Sequence, residues 1–445
     1  MIFLKKLKIA IFLSLLIVSL GNVVLSNAIE FEGKIHKNVY VRDIDLSNLT
    51  KKEAIKKINK ILDDKNSFYL IFNDKKYVFN KEYIETDYNV ENIVKKAYDI
   101  GRDKDIISNI KTRSSLSMGN KIILDYSIDY NENKLNEYID GLNKKIYEKP
   151  INSTISIRNE KIVITKEQNG YKLDNDKLKD IIFSKIKDID NKDEIIPTLL
   201  IKPFYTYDKL SKINTVLGRF ETYFNTNNYN RSSNIKLAAN ATSNILLDEG
   251  EVFSFNSYIQ NSNIKKYLKE APVIINGKPE KGIGGGMCQV STTIYNAALY
   301  SGMKIISVRN HSIPSPYIEK GRDATVSGGV IDLKFSNNFD DPVYICNQVI
   351  GNKIVCKIYG NKKYSNDIEI VTKTTDIIPN KIIRKNSEKY ELGIKTIEQE
   401  GRKGYKVQTY RVYKSENGNK TECIGESYYP PQDKIIIYGT RELRK

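Results

Sequence analysis

The chain reads as an α+β, multidomain protein. It has a two-lobed α+β N-terminal region, a central α+β domain and a small, elongated all-β module at the C-terminus. Three observations predict this. Its 445 residues suffice for about three domains. From residue 36 to about 360, short alternating apolar–polar runs trade places with stretches of helical period. Beyond residue 366 the helical spacing stops, and alternation broken by turn signals at Gly401, Gly404 and Asn417-Gly418 takes over.

At the N-terminus, Lys5, Lys6 and Lys8 precede an apolar run from Ile9 to Leu25, and Ser26-Asn27-Ala28 offers a small-x-small cleavage site. Residues 1–29 therefore read as a secretory signal peptide, or as a membrane anchor if they stay uncleaved. Either way the rest of the chain is expected outside the cytoplasmic membrane, in the cell wall or on the membrane's outer face. His36, just past this segment, reads as a solvated residue at a domain edge.

Residues 36–207 form the first predicted region. NVYVRDIDLSNL reads as a strand and TKKEAIKKINKIL as a helix, opened by Thr50 and Glu53 in capping-box spacing. FYLIF and KKYVF, joined by Asn73-Asp74, read as a hairpin. A polar helical tract runs from Val90 to about Ile110. The pattern partly recurs with helices over Lys134–Ile146 and Asp174–Ile189, a hairpin around Asn159-Glu160 and a strand ending at Pro203.

Residues 208–362 form the central domain. Ile235, Ala238, Ala239, Thr242, Ile245 and Leu246 make one apolar helical stripe, stopped by Gly250. EVFSFNSYI comes next, then a strand around APVIING, GIGGGMCQVSTTIYNAALY, the strand MKIISVRNH, DATVSGGVIDLKFSN and a last hairpin turning at Gly351-Asn352. The module over 366–445 ends in KIIIYGTR.

Lys and Arg outnumber Asp and Glu by 71 to 54, a net charge of +17. This suits an anionic surface such as a phospholipid face or an anionic wall polymer. The charges are spread along the chain and mixed with acids, so no nucleic-acid footprint is read. The two isolated histidines and the absence of Cys-x-x-Cys give no metal ligand set. Gly282–Met287 fails the dinucleotide fingerprint at its last position, so no cofactor is read. Ser-x-x-Lys recurs, at Ser184–Lys187, Ser233–Lys236, Ser262–Lys265 and Ser301–Lys304 among others, without Lys-Thr-Gly or Ser-Asp-Asn, which argues against a penicillin-binding serine enzyme.

Four cysteines do not make a disulfide scaffold in a chain this long. Cys346 and Cys356 flank the last hairpin's turn and read either as a cross-strand bridge or as two small residues on a buried face. Cys288 follows three glycines and precedes Val290, Ile294, Ala297 and Ala298 at helical spacing, which puts it at a helix start. Free N–H groups and the helix dipole favour a thiolate there. The same stretch also reads as a buried helix in which cysteine packs as a small hydrophobe.

A thiol nucleophile needs a base, and His311, at the end of MKIISVRNH, is the candidate. Asp323 is the first candidate to orient the imidazole, ahead of Asn310 and Asp332. Backbone N–H groups around Gly286, Met287 and Cys288 are candidates for an oxyanion hole, with Gln289 as a side-chain donor.

NYNRSSNIKLAA, VFSFN, IINGKPEKGIGGGMCQVSTTIYNAAL, RNHS and GRDATVSGGVIDLKFSN together resemble the VanW-like family over residues 219–360. The tract from about 40 to 205 resembles the peptidoglycan-binding domain found upstream of YkuD-type transpeptidases. GRKGYKVQTYRVYKSENG and KIIIYGT resemble the G-five domain, a wall- and sugar-associated β module. The resemblance implies a Gram-positive envelope protein that acts as a cysteine-dependent L,D-transpeptidase on peptidoglycan stem peptides. It casts Cys288 as nucleophile and His311 as base, and its Asn-Arg-x-x-Asn element falls on Arg231 and Asn234 at the substrate site. Where the family carries a glycine- and arginine-containing stretch after FSFN, this chain has SYIQNSNIKK. The competing expectation is a non-catalytic protein that binds peptidoglycan or other wall polymers.

Overall fold

The computed structural model describes residues 33–102, 105–275 and 278–442, with Ile11 and Ser14. Apart from those two residues, the signal segment read over 1–29 lies outside the described residues. Among the described residues no helix is long and apolar enough to cross a membrane. The chain divides into two compact units, one reaching to Ile151 and including Asn169–Lys202, the other Asn152–Gln168 with Pro203–Lys445.

The first unit is α+β. The helix Lys51–Asp64 starts at Thr50, whose hydroxyl accepts from the Glu53 N–H while the Glu53 carboxylate accepts from the Thr50 N–H, closing the capping box. It buries Ala54 and Ile58. Strands Ser67–Phe72 and Lys75–Asn80 pair antiparallel. Asn73 and Asp74 between them hold φ of 46° and 63°, the left-handed pair that a two-residue hairpin loop demands. The tract after Val90 forms two helices, Val90–Asp99 and Ile106–Ser117, and Glu132–Ile146 and Asn175–Lys187 complete the helical layer. One apolar core joins these pieces, with Val39, Leu46, Phe68, Leu70, Phe79, Ile139 and Leu178 at its centre.

Two expectations fail in this region. His36 is not solvated; it is 4% exposed. Burial, then the charges of Arg102 and Arg113, pull its imidazole down to about 4. The hairpin around Asn159-Glu160, Ile155–Arg158 with Lys161–Ile164, belongs to the second unit. Its isoleucines Ile155, Ile157, Ile162 and Ile164 pack with Leu210, Ile213, Tyr344 and Tyr359, which supply the apolar cover that a lone two-stranded hairpin lacks.

The second unit is built on a four-stranded antiparallel sheet ordered Thr215–Tyr223, Lys353–Gly360, Val343–Ile350, Ile245–Leu247. The helices Tyr229–Ala241 and Met287–Tyr300 pack against it around Ile235, Val290, Ile294, Leu299, Ile345 and Ile358. The close approach is set at Gly218, where a Cβ would lie 2.6 Å from the Ala297 carbonyl oxygen. A second sheet joins Val252–Ser254, Lys334–Ser336 and Lys304–Ser307, and the hairpin Glu270–Ile275 with Lys278–Ile283 leads into the glycines.

The stripe expected to run through Leu246 is shorter than its spacing suggests. The helix ends at Ala241, Thr242 caps it by donating to the Ala238 carbonyl, and Asn244 at φ 58° turns the chain into the strand Ile245–Leu247. EVFSFNSYI likewise splits into the strand Val252–Ser254 and the helix Phe255–Asn261, whose cap is the Ser254 hydroxyl.

Cys346 and Cys356 lie on the two strands of one hairpin but are free. Their register pairs Cys346 with Lys357 and Asn347 with Cys356, so the two side chains leave opposite faces of the sheet. Cys346 packs with Leu210 and Tyr359, and Cys356 with the main core. The bridge reading is therefore corrected, and burial pushes both thiols up.

The C-terminal module is all-β. Asp367–Ile378, Gly404–Lys414 and Lys420–Tyr429 form one antiparallel sheet, and Ile382–Glu391, Lys434–Arg441 and Lys395–Gln399 form another. Ile368 and Ile370 of its first strand enter the core of the second unit.

Candidate active site

The Met287–Tyr300 helix is capped by Gly286 at φ 109°, a conformation open to glycine and costly to other residues. A Cβ at this position would also meet Ile235 Cγ1 at 2.8 Å. The chain therefore enters the helix through a backbone turn pressed against the neighbouring Arg231 helix, and Cys288 is its second residue. The Cys288 side chain is part-exposed, and its Sγ lies 3.4 Å from both the Val326 N–H, which donates to it, and the Val326 carbonyl.

His311 comes from the loop after Lys304–Ser307, and Asp323 from the segment that returns along the Cys288 helix. Asp323 Oδ2 accepts from the His311 backbone N–H and pairs with His311 Nδ1, each at 2.6 Å. Asp323 is 2% exposed. With Nδ1 committed to the carboxylate, Nε2 is left for Cys288, whose sulfur is close enough to raise the imidazole. Burial lowers the His311 imidazole, but the hydrogen bonds to Asp323 and Cys288 and their charges outweigh it and push it up to about 9. Ser315 Oγ lies 3.2 Å from Nδ1. The structure thus brings Cys288, His311 and Asp323 into one line. Asn310 and Asp332 are elsewhere engaged: Asn310 donates to the His311 and Tyr428 carbonyls, and Asp332 accepts from Ser254 and the Asn256 N–H.

The helix itself positions Asp323. Ser291 Oγ donates to the Ala324 carbonyl at 2.5 Å, the Ala324 N–H donates to Thr292 Oγ1 at 3.0 Å, and Asn296 Nδ2 donates to the Arg322 carbonyl at 2.8 Å. Arg322 Nε returns to Asn296 Oδ1 at 2.8 Å. These polar side chains are buried, so each bond is made where an unpaired group would be costly.

Three expected substrate-facing groups have other work. Gln289 is 1% exposed; its amide N–H group donates to Thr222 Oγ1 and the Tyr223 carbonyl, and its oxygen accepts from Arg231 Nη2 at 2.7 Å. It ties the helix to the sheet and aims Arg231, so it is not an oxyanion donor. The Met287 N–H is turned back onto the Gly284 carbonyl at 3.2 Å, which removes it from an oxyanion hole as well. Asn234 is wholly buried and spends its amide on Lys269 and the Gly285 carbonyl, so it shapes the glycine turn from beneath. Among the described hydrogen bonds the Cys288 N–H takes no acceptor, as befits an N–H in the first turn of a helix.

Arg231 is half-buried beside the sulfur; burial lowers it, while the nearby Tyr317 and Cys288 charges favour its cation. Tyr317 was not read from the sequence. Burial, then the Cys288 charge, raises its phenol, while the neighbouring Ser315 and Thr292 hydroxyls act to lower it. No motif marks it; its only signal is its place in the loop between His311 and Asp323. A cleft bordering the sulfur is lined by Phe255, Ile259, Leu268, Met287, Val326 and Gly328.

Fold and site define an α+β domain centred on a cysteine at a glycine-capped helix start, with a histidine–aspartate pair beside it and a β module after it. Its sequence places it more narrowly: the chain belongs to the VanW-like family, whose description, VanW like protein, matches residues 230–359. Residues 77–194 match the family described as "Putative peptidoglycan binding domain", and residues 369–441 match the G5 domain. The uncharacterized protein YoaR of Bacillus subtilis (strain 168) is 32% identical over 256 residues, 57% of this chain and 83% of that protein. The vancomycin B-type resistance protein VanW of Enterococcus faecalis (strain ATCC 700802 / V583) is 33% identical over 139 residues, 30% of this chain and 50% of that protein. A solved IgA1 protease G5 domain is 21% identical and covers 17% of this chain and 95% of its own, with a TM-score of 0.14.

Proposed function

We propose that the protein is a cell-wall L,D-transpeptidase that works through a cysteine thioester outside the cytoplasmic membrane. The observation that carries this reading is the Cys288–His311–Asp323 line, with the imidazole raised to about 9 between a thiol and a buried carboxylate. The peptidoglycan-binding and G5 matches on either side supply the substrate class.

In the proposed reaction His311 holds the proton at neutral pH and Cys288 Sγ attacks the carbonyl carbon of the third residue of a tetrapeptide stem. A C–S bond forms, and the carbonyl oxygen becomes an oxyanion facing the Cys288 N–H. As the oxyanion collapses, the C–N bond to the terminal D-alanine breaks, and the imidazolium proton goes to the departing amine. Arg231, held by Gln289, offers a cation to the stem's terminal carboxylate. A side-chain amine of a second stem then attacks the thioester carbon and gives its proton to neutral His311. The C–S bond breaks, and a 3→3 amide cross-link and the starting pair remain.

The test uses residues 30–445, as wild type and as Cys288→Ala, incubated with disaccharide-tetrapeptide and followed by mass spectrometry. Released D-alanine and a cross-linked dimer from wild type alone support the reading. Folded wild type with a reduced thiol and no product would sink it. The second reading, a wall-binding scaffold, is favoured by the net charge of +17 and the flanking modules. It predicts slow labelling of Cys288 by a thiol probe at neutral pH, together with binding to purified sacculi.

A further inference from the structure

The loop bearing His311 and Asp323 is held from outside the central domain. Its outer support is the C-terminal β module, which reaches it through hydrogen bonds at Asn310, Glu319, Gly321 and Asp323. The Asn310 amide donates to the Tyr428 carbonyl at 2.9 Å, and Thr409 Oγ1 donates to the Gly321 carbonyl at 2.8 Å. The Gly321 N–H donates to the Tyr429 hydroxyl at 2.8 Å, and that hydroxyl donates to Asp323 Oδ1 at 2.5 Å. Gly321 sits at φ 90°, and a Cβ there would fall 2.7 Å from Thr409 Oγ1, so the loop and the module meet without room for a side chain.

We propose that Tyr429 is a positioning residue of the active site, and that the C-terminal module completes the Cys288–His311–Asp323 line instead of serving only as an attachment to the wall. The proposal rests on the thiol-catalysis reading above. Its physical basis is the division of labour on one carboxylate. Oδ2 of Asp323 carries both bonds to His311, and Oδ1 carries the bond from Tyr429. A carboxylate turns about its Cβ–Cγ bond unless both oxygens are held. Asp323 is 2% exposed and Tyr429 wholly buried, and the phenol is the donor that the structure gives to Oδ1. Tyr429 therefore fixes the plane in which Oδ2 meets Nδ1, and with it the direction in which Nε2 faces the sulfur. The phenol is well placed to stay protonated, since burial and the Asp323 charge raise it far above its ordinary range. Burial and the Asp323 charge thus keep the phenol in the form the bond needs.

The test is Tyr429→Phe in residues 30–445, which keeps the ring and removes only the hydroxyl. His36 and His311 are the chain's two histidines, so imidazole NMR reads His311 directly, without any turnover assay. Wild type should show it titrating near pH 9, and Tyr429→Phe should bring it down by about one unit as the carboxylate loses its alignment. Turnover should fall about ten- to a hundredfold, the worth of a hydrogen bond to a charged group, with KM little changed. Thr409→Val, which loosens the same loop without touching Asp323, should leave the His311 titration in place. Tyr438→Phe, in another strand of the module, controls for the loss of a phenol. A folded Tyr429→Phe protein whose His311 titration stays put or moves up would overturn the proposal. Absence of product from wild type would fail the transpeptidase reading while leaving the titration to decide the positioning role.

Discussion

Replacing Asp323 by Asn should remove most of the pH-dependent stability that His311 contributes to the second unit. In the folded chain burial pulls His311 down, and its bonds to Asp323 and Cys288 carry it instead from 6.5 to about 9. That displacement is worth roughly 3 kcal/mol at about 1.4 kcal/mol per pH unit. The folded value lies above the unfolded one, so this stability is fully present below about pH 6.5 and is lost as the pH rises through 9. The His311 side chain is 10% exposed, so solvent screening takes little of it away. The Asp323 hydrogen bond is the largest single raising contribution, and the stability gap between wild type and Asp323→Asn should shrink by about 2 kcal/mol between pH 6 and pH 9.5. Cys356 offers a probe of this unit alone: it is fully buried in the main core, and pulse alkylation in increasing denaturant, always at one pulse pH, reports its exposure by mass spectrometry. Comparing the two proteins cancels every titrating group they share. A gap that is the same at both pH values would mean that Asp323 does not hold a proton on His311, and the proton transfers proposed for the site would lose their basis.

Gly286→Ala should cost about 1–2 kcal/mol for the left-handed backbone alone, and more for the 2.8 Å approach to Ile235, read as a lower denaturant midpoint with slower alkylation of Cys288. Gln289→Leu should destabilise by about 1–3 kcal/mol, because it strips the buried Thr222 hydroxyl, the Tyr223 carbonyl and Arg231 of a partner; an unchanged unfolding midpoint would contradict the tie between helix and sheet assigned to Gln289. Unfolded without reductant, the chain should take up four alkyl groups, since all four cysteines are free; uptake of two would restore the Cys346–Cys356 bridge.

What was legible in the sequence was whatever depends on near neighbours. The Thr50–Glu53 box and the Asn73-Asp74 loop are set by residues two or three apart, and both appear where the spacing puts them. The helix start at Cys288 is equally local, because a glycine at positive φ can open a helix from its own backbone freedom. Features decided across the fold were not legible. The burial of His36 depends on Gly101, Arg102 and Arg113, some 65 residues and more along the chain. Gln289 and Asn234 look like substrate ligands in a motif, yet their amides are consumed by the Tyr223 carbonyl and the Gly285 carbonyl, partners that no spacing reveals.

The Met287–Tyr300 helix shows why its apolar period was only half of its information. Val290, Ile294, Ala297 and Ala298 pack into the core, as their spacing predicts. Ser291, Thr292 and Asn296 are buried too, on a helix with no solvated face. Buried polar groups are tolerable only when paired, and left unpaired each would cost about 1–3 kcal/mol. Their partners are the backbone groups of Arg322 and Ala324, the residues on either side of Asp323. A helix needed only for packing would do better with alanine at these positions, since nothing would have to be satisfied. The polar set instead converts one rigid helix into a ruler, placing the sulfur at one end of a short path and the carboxylate segment along it. Tyr429 then closes that path from the far side, so the geometry at His311 depends on residues drawn from both the central domain and the β module.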